Sequence, residues 1–344
     1  MQHRIMKPSR LLNKHGELIQ RGYATSPILT YLRKDVTNKF RLKEWDYYLA
    51  YNQKFAVALT IAKNGSIILI STSIIDFISK EQETRTAVKI ASKNKLNMPE
   101  SSETGDIVYQ DKEIDIAFRH MDNHRNLTLY WKNFDGDTDL IAVLTLSEEP
   151  MDSMVIATPF KEDKKDFYYN RKIIGMRASG KVFYKDDTGY SFNGNDSFAL
   201  LDWGRGVWPY HTTWYWSAAQ GITNGNLFGF NLGYGFGDTR AATENMLFYN
   251  GFASNLEDVV FHISKNSKGE YEYMKPWHFT SSDHRLELEF IPILDRFATQ
   301  SAVLVSTCQH QVFGRFSGSA VLDDGSLILL NDFLGFVERV ENRW

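Results

Sequence analysis

Apolar and polar residues alternate along most of this chain in short runs, each closed by turn-forming residues. Tyr47–Ala62 alternates with a polar pause at Asn52-Gln53-Lys54, and Lys63-Asn64-Gly65 then reads as a hairpin turn, because Asn-Gly accepts positive φ. Ser66–Ile78 follows. Ile107–Arg119 reads as a hairpin about Asp111-Lys112, Leu127–Asn133 and Leu140–Leu146 flank Asp135-Gly136-Asp137, and Met154–Phe160 is a further short strand. The second half repeats the style. Lys181–Tyr184 and Tyr190–Phe192 flank the turn at 186–189, Thr212–Gln220 and Leu227–Leu232 flank Thr223–Asn226, and Val259–Ser264 and Tyr271–Pro276 flank Asn266–Gly269. Leu286–Phe290, Val303–Cys308, Gln311–Ala320 and Ser326–Val340 complete the set, the last two joined at Asp323-Asp324-Gly325. No stretch keeps a helical period over a dozen residues; the charged, weakly patterned Lys80–Leu96 is the candidate for a short helix or mobile loop. Many short strands with regular turns predict an all-β sandwich or barrel.

Composition changes this picture in several ways. At 344 residues the chain has room for two domains, and tryptophans crowd the region from Trp203 to Trp277, so a boundary is expected near Gly175–Lys181. The expected layout is an N-terminal extension over 1–40, a β-domain over 41–178 and a second β-domain over 179–344. Aromatic residues make up 14% of the chain, enough to fill wide β cores or line an apolar pocket. A net charge of −3 gives no broad electrostatic case for nucleic acid. Cys308 stands alone, which excludes an intramolecular disulfide and a two-thiolate metal site. The N-terminus carries no apolar stretch of signal-peptide length, and no run of about 18 apolar residues occurs. The expectation is a bacterial-type cytoplasmic protein without cofactor or metal, with peripheral membrane contact left open.

The segment Leu201–Gly251 departs from generic strand. Leu201-Asp202-Trp203-Gly204-Arg205-Gly206-Val207-Trp208-Pro209-Tyr210-His211 holds glycines, a proline and an Asp202–Arg205 pair, which reads as a shaped loop. Beyond it, Thr212, Trp214 and Trp216 fall on one strand face and Thr213, Tyr215 and Ser217 on the other. Two indoles on one face make either a core plug or a pocket floor. Gly233-Tyr234-Gly235-Phe236-Gly237-Asp238 alternates glycine with aromatic residues, the mark of bulges or close approach. No helix with a Gly-Lys-Ser ending follows, so a nucleotide loop is disfavoured. Asp202, Asp238 and Glu244 lie among aromatics, where burial raises a carboxyl pKa and suits it to proton transfer. Indole and phenol faces would stabilise a developing carbocation. The bland counterparts are an Asp202–Arg205 ion pair, a turn capped by Asp238 and a structural His211. Phe167–Lys172 is another aromatic–polar cluster, able to bring Tyr169, Asn170 and Lys172 to the same pocket or merely to bridge the domains.

Arg41–Tyr48, Phe167–Lys172, Leu201–Trp216, Gly233–Asn245 and the closing Gln311–Gly314, Asp324-Gly325 and Gly335–Glu338 together resemble the bacterial family called domain of unknown function 2804. That family is more distantly similar to carotenoid hydratases (hydroxyneurosporene synthase) and polyketide Diels–Alderases. The resemblance implies two lipocalin-like, calycin-type β-domains around an apolar cavity, and cofactor-free acid chemistry using an aspartate among aromatics. The favoured expectation is therefore a cofactor-independent enzyme, of hydratase, isomerase or cyclase type, acting on an isoprenoid or acyl substrate. Asp202 is its general acid or base, and Arg205 and Tyr210 orient it. Trp208, Trp214 and Trp216 line the site, and Asp238, Glu244 and Asn245 complete a polar end; His211, Tyr234, Tyr169 and Lys172 are further candidate contacts. The alternatives are a lipid-binding protein without chemistry and a carbohydrate-active protein using Asp202 with Asp238.

Overall fold

The computed structural model describes residues 2–91, 96–185, 189–302 and 305–343. The turn expected over 186–188, the part of Lys80–Leu96 at 92–95, and residues 303–304 lie outside the described residues. The fold is nearly all strand, with one 3-10 turn at Arg33–Asp35 among the described residues and no helix long and apolar enough to cross a membrane.

Two large curled sheets carry the chain. The first runs, edge to edge, through Glu81–Ile90, Ile67–Asp76, Phe55–Asn64, Leu42–Tyr51, Phe198–Val207, Phe167–Phe183, Thr138–Ser147, His124–Asp135, Ile114–Met121 and Ile107–Gln110. Met154–Pro159 pairs with the start of Phe167–Phe183 and with Gly22–Ala24. The second sheet runs through Phe252–Asn255, Met246–Tyr249, Asn226–Tyr234, His211–Thr223, Leu327–Arg343, Val305–Val321, Leu286–Ala302, Trp277–Ser281 and Val259–His262. The chain passes between sheets at Trp208–Tyr210, so Phe198–Val207 belongs to the first sheet although it lies beyond the compositional shift near Gly175–Lys181. Residues Gln2–Ile5 strap the two sheets: Gln2 accepts from the Thr243 amide and donates to the Leu256 carbonyl, the His3 amide donates to Ala241, and Ile5 pairs with Tyr23.

Three apolar cores follow from strand parity, because successive side chains point to opposite faces. One fills the curl of the first sheet, around Ile61, Trp131, Tyr169 and Trp203. Another fills the curl of the second, around Phe230, Trp277 and Phe316. The third lies between the sheets and holds Tyr47, Tyr168, Trp208, Trp216, Phe236, Phe313 and Phe336.

Three expectations need correction. Glu81–Ile90, read as helix or mobile loop, is an edge strand; its charges are those of an exposed sheet edge, and Thr84 and Thr86 bond the Ser73 and Ser71 hydroxyls on the neighbouring strand. Tyr271–Pro276 is a turn region with one bridge to Lys265, and the strand there is Trp277–Ser281. Leu201–Val207, read as a shaped loop, lies in the ten-residue strand Phe198–Val207 near the middle of the first sheet. Its glycines make space for rings. A Cβ at Gly204 would overlap the Trp45 indole, and one at Gly206 would crowd the Trp208 indole. Gly204→Ala should therefore destabilise the protein by about 1–3 kcal/mol through overpacking; a denaturant melt showing an unchanged midpoint would refute this account of the glycine.

Candidate functional site

Strand register assembles the site as two facing cross-strand rows. On the first sheet, Thr60, Tyr47, Asp202, Lys172 and Met154 lie side by side across five strands. On the second, Arg296, Gln311, Glu338, Trp216 and Gly233 do the same. Tyr47 joins the rows: its ring packs edge-on to Trp216 with centroids 5.8 Å apart, and its hydroxyl accepts from Gln311 Nε2 at 3.2 Å.

At one end a buried ion pair links the sheets. Lys172 Nζ lies 3.0 Å from Glu244 Oε2, and both residues are 1% exposed. Tyr168 donates to the same carboxylate oxygen at 3.2 Å, and Lys172 donates to the Tyr168 hydroxyl at 3.1 Å. The ammonium also sits 4.9 Å from the Trp216 ring and 5.1 Å from Phe236, within cation–π range. Gly233 has no Cβ because Glu244 Oε1 occupies that space, and this oxygen has no hydrogen-bond partner among the described residues. Burial raises the Glu244 carboxyl above its ordinary value, opposed by Lys172 and reinforced by the charge of Asp202. Burial, with Glu244, likewise holds the Tyr168 hydroxyl well above the usual phenol range.

Asp202 sits mid-row and is half-buried, the least enclosed of the three carboxyls in the seam. Asn170 Nδ2 donates to it at 2.6 Å. Glu338, 4% exposed, accepts from Trp214 Nε1 at 3.0 Å, Gln309 at 2.7 Å and Gln311 at 3.2 Å. Burial raises its carboxyl too, opposed by these donors and by Arg296 and reinforced by Asp202. An aromatic wall adjoins the carboxyls. Trp208 packs edge-on to Trp45, Tyr168, Trp214 and Phe236 at 5.3–6.2 Å, and Phe236 stacks on Tyr168 at 5.0 Å. Lys43 closes that end 5.6 Å from Trp208, and burial with nearby Arg41 pushes its ammonium down to about 6.

The seam thus gathers Asp202, Glu244, Asn170, Lys172, Trp208, Trp214 and Trp216 from the expected set. It does not gather the rest. Arg205 is three residues from Asp202, so parity turns it to the opposite face. There it bonds Asp46 at 3.1 Å and lies 3.7 Å from Glu44, inside the first sheet's curl, and the expected Asp202–Arg205 pair does not form. Tyr169 faces that same core and donates to the Leu29 carbonyl. Tyr234 stacks on Tyr215 in the second sheet's core. Asn245 accepts from the Gly233 amide and donates to the Glu257 carbonyl, a backbone-fixing role. Asp238 is gripped by exposed Arg240 and caps its own turn, so it supplies no second carboxyl opposite Asp202. Tyr210 is 52% exposed, and His211 is exposed at the start of its strand. Tyr47, Tyr168, Glu338, Gln311, Arg296 and Lys43 were not anticipated. Their signal is polar residues interrupting an inward apolar parity, as in Leu294-x-Arg296, Gln311-x-Phe313 and Phe336-x-Glu338.

Two curled sheets packed face to face over a polar, aromatic seam define an all-β protein. The chain belongs to the family described as Domain of unknown function (DUF2804), which matches residues 2–344. Among solved structures it is similar to a Nitrosomonas europaea protein described as an AttH, with a TM-score of 0.53 and 12% identity over 89% of this chain and 93% of that one. It also aligns with kievitone hydratase from Nectria haematococca (TM-score 0.47, 10% identity, 89% and 90% of the two chains). A third alignment is with CghA in complex with Sch210972 (TM-score 0.44, 9% identity, 88% of each chain). No curated protein matches the chain.

Replacing Lys172 by Met would leave Glu244 buried without its cation, a loss of about 3–5 kcal/mol. Glu244 binds its proton more tightly folded than unfolded, so its contribution is present at low pH and lost as pH rises through the raised value. Without Lys172 that value rises further. The stability gap between Lys172→Met and the parent should therefore widen from pH 5 to pH 8, read by thermal unfolding. A gap that is constant or narrows with pH would contradict the pairing.

Proposed function

We propose that this protein is a cofactor-independent enzyme that transfers a proton to or from an apolar substrate, isoprenoid or acyl in character, seated against the aromatic wall between the sheets. The reaction classes that suit this arrangement are hydration, isomerisation and cyclisation. The observation that carries the reading is Asp202: a half-buried carboxyl fixed by Asn170, within the field of two buried carboxyls and in register between Tyr47 and Lys172, both of which meet the Trp216 ring. Burial holds the Glu244 and Glu338 carboxyls above their ordinary values, opposed by Lys172 and Arg296, which favours the protonated form of these two relative to exposed carboxyls. Asp202 is the member best placed to touch substrate. Glu244 and Lys172 act as positioning residues, holding the local field and the Tyr168 ring. Cationic character developing on a substrate carbon would face the ring systems of Trp208, Trp214 and Phe236, an attraction that strengthens as water is excluded.

The expected outcome is specific. Native mass spectrometry and extraction of the purified protein should recover a lipophilic small molecule. The parent should convert that molecule or its precursor, with a mass gain of one water for hydration or no mass change for isomerisation or cyclisation. Asp202→Asn should retain uptake and lose turnover by about 10²–10⁴-fold. Retention of both uptake and turnover in Asp202→Asn would remove the catalytic assignment, and uptake without turnover in the parent would mark a carrier.

A further inference from the structure

Arg296 stands at the outer end of the second-sheet row and is 6% exposed. A buried guanidinium normally meets a carboxylate, and an uncompensated one carries a large desolvation penalty. Arg296 has no ion-pair partner among the described residues. Its one hydrogen bond among the described residues runs from a terminal nitrogen to the amide oxygen of Gln311 at 2.6 Å, and its buried Nε, like those of Arg125 and Arg205, has no hydrogen-bond partner there. The Arg296 charge acts on Glu338 through space but makes no bond to it; the bonded path between them runs through Gln311, whose amide nitrogen is spent on Glu338 and Tyr47. Glu338 in turn already accepts three donors.

The contrast with the other interior cations is direct. Arg205 has Asp46 and Glu44, Arg125 and Arg171 share Glu149, and Lys172 has Glu244. Each of these four has a carboxylate within salt-bridge distance, and Arg296 has none among the described residues. Arg296 keeps donors in reserve, and it does so in the seam that the proposed reaction uses, one residue along the row from the Gln311 that bonds Tyr47.

We propose that Arg296 binds the anionic group of the substrate, a carboxylate, so that the natural substrate is an amphipathic acid lying along the seam. Its apolar body extends past Trp216 toward the wall of Trp208 and Trp214, and its acid group meets the Nε–H and terminal N–H edge that Gln311 leaves free. Gln311 is the positioning residue, since its amide oxygen fixes the guanidinium while its amide nitrogen ties Tyr47 and Glu338 into the same row. The inference rests on the seam being the substrate site, and it adds which end of the substrate is charged.

The test uses the intact protein and two probes of equal chain length, decanoate and 1-decanol, with binding read by tryptophan fluorescence and calorimetry at pH 7.5. The parent should bind decanoate at least 10-fold more tightly than decanol. Arg296→Gln should erase that preference by weakening decanoate alone, and Arg296→Lys should restore part of it. The comparison of probes on the parent stands even if a variant fails to fold. Equal affinity of the parent for acid and alcohol overturns the role of Arg296 while leaving the seam as the binding site. An unchanged acid preference in a folded Arg296→Gln also overturns it. Binding of neither probe overturns both the seam as a lipophile site and this inference.

Discussion

The Lys172–Glu244 ion pair is the contact on which the seam between the sheets depends. Its partners come from different sheets: Lys172 lies in the strand Phe167–Phe183, and Glu244 in the connection leading into Met246–Tyr249. Burying two charges together is tolerable only where each finds its remaining bonds, and here Tyr168 and the ring faces of Trp216 and Phe236 supply part of them. Other features follow from that placement. Gly233 must lack a side chain, Phe236 must stack on Tyr168, and Asp202 sits next to Lys172 in the same row. A wholly apolar seam would pack the sheets as firmly; a charged one ties one particular position of the first sheet to one of the connection into the second.

Much of the scaffold was legible because turn chemistry punctuates it. Asn64-Gly65 and Asp323-Asp324-Gly325 fall at strand junctions, and both glycines have positive φ. The shared face of Trp214 and Trp216 was also legible, since alternation is a property of the strand itself. What failed was inference from the composition of a short window. Glycines at 204 and 206 read as loop because their purpose is visible only once Trp45 and Trp208 lie across them. The same misreading joined Asp202 to Arg205. In a strand the odd separation sends them to different cores, where Arg205 answers Asp46 and Asp202 answers Asn170.

The second-sheet half of the site was hidden for a different reason. Arg296, Gln311 and Glu338 are separated along the chain and meet only through register across Leu286–Ala302, Val305–Val321 and Leu327–Arg343. Each is a single polar residue in an inward apolar pattern, which in isolation reads as a tolerated exception. Three such exceptions aligned in one row are no longer incidental, but the alignment is tertiary information.

The strap formed by Gln2–Ile5 has a further consequence. It joins Tyr23, which the short strand Gly22–Ala24 holds on the first sheet, to Ala241, Thr243 and Leu256 of the second, and Thr243 immediately precedes Glu244. The loop that delivers the buried glutamate is thus clamped by chain more than two hundred residues away in sequence. The site is accordingly a property of the closed whole: divided at the sheet junction, neither fragment holds a complete row pair, and the fragment carrying Glu244 lacks the clamp that sets it. A copy of one sheet alone would carry over only one of the two facing rows.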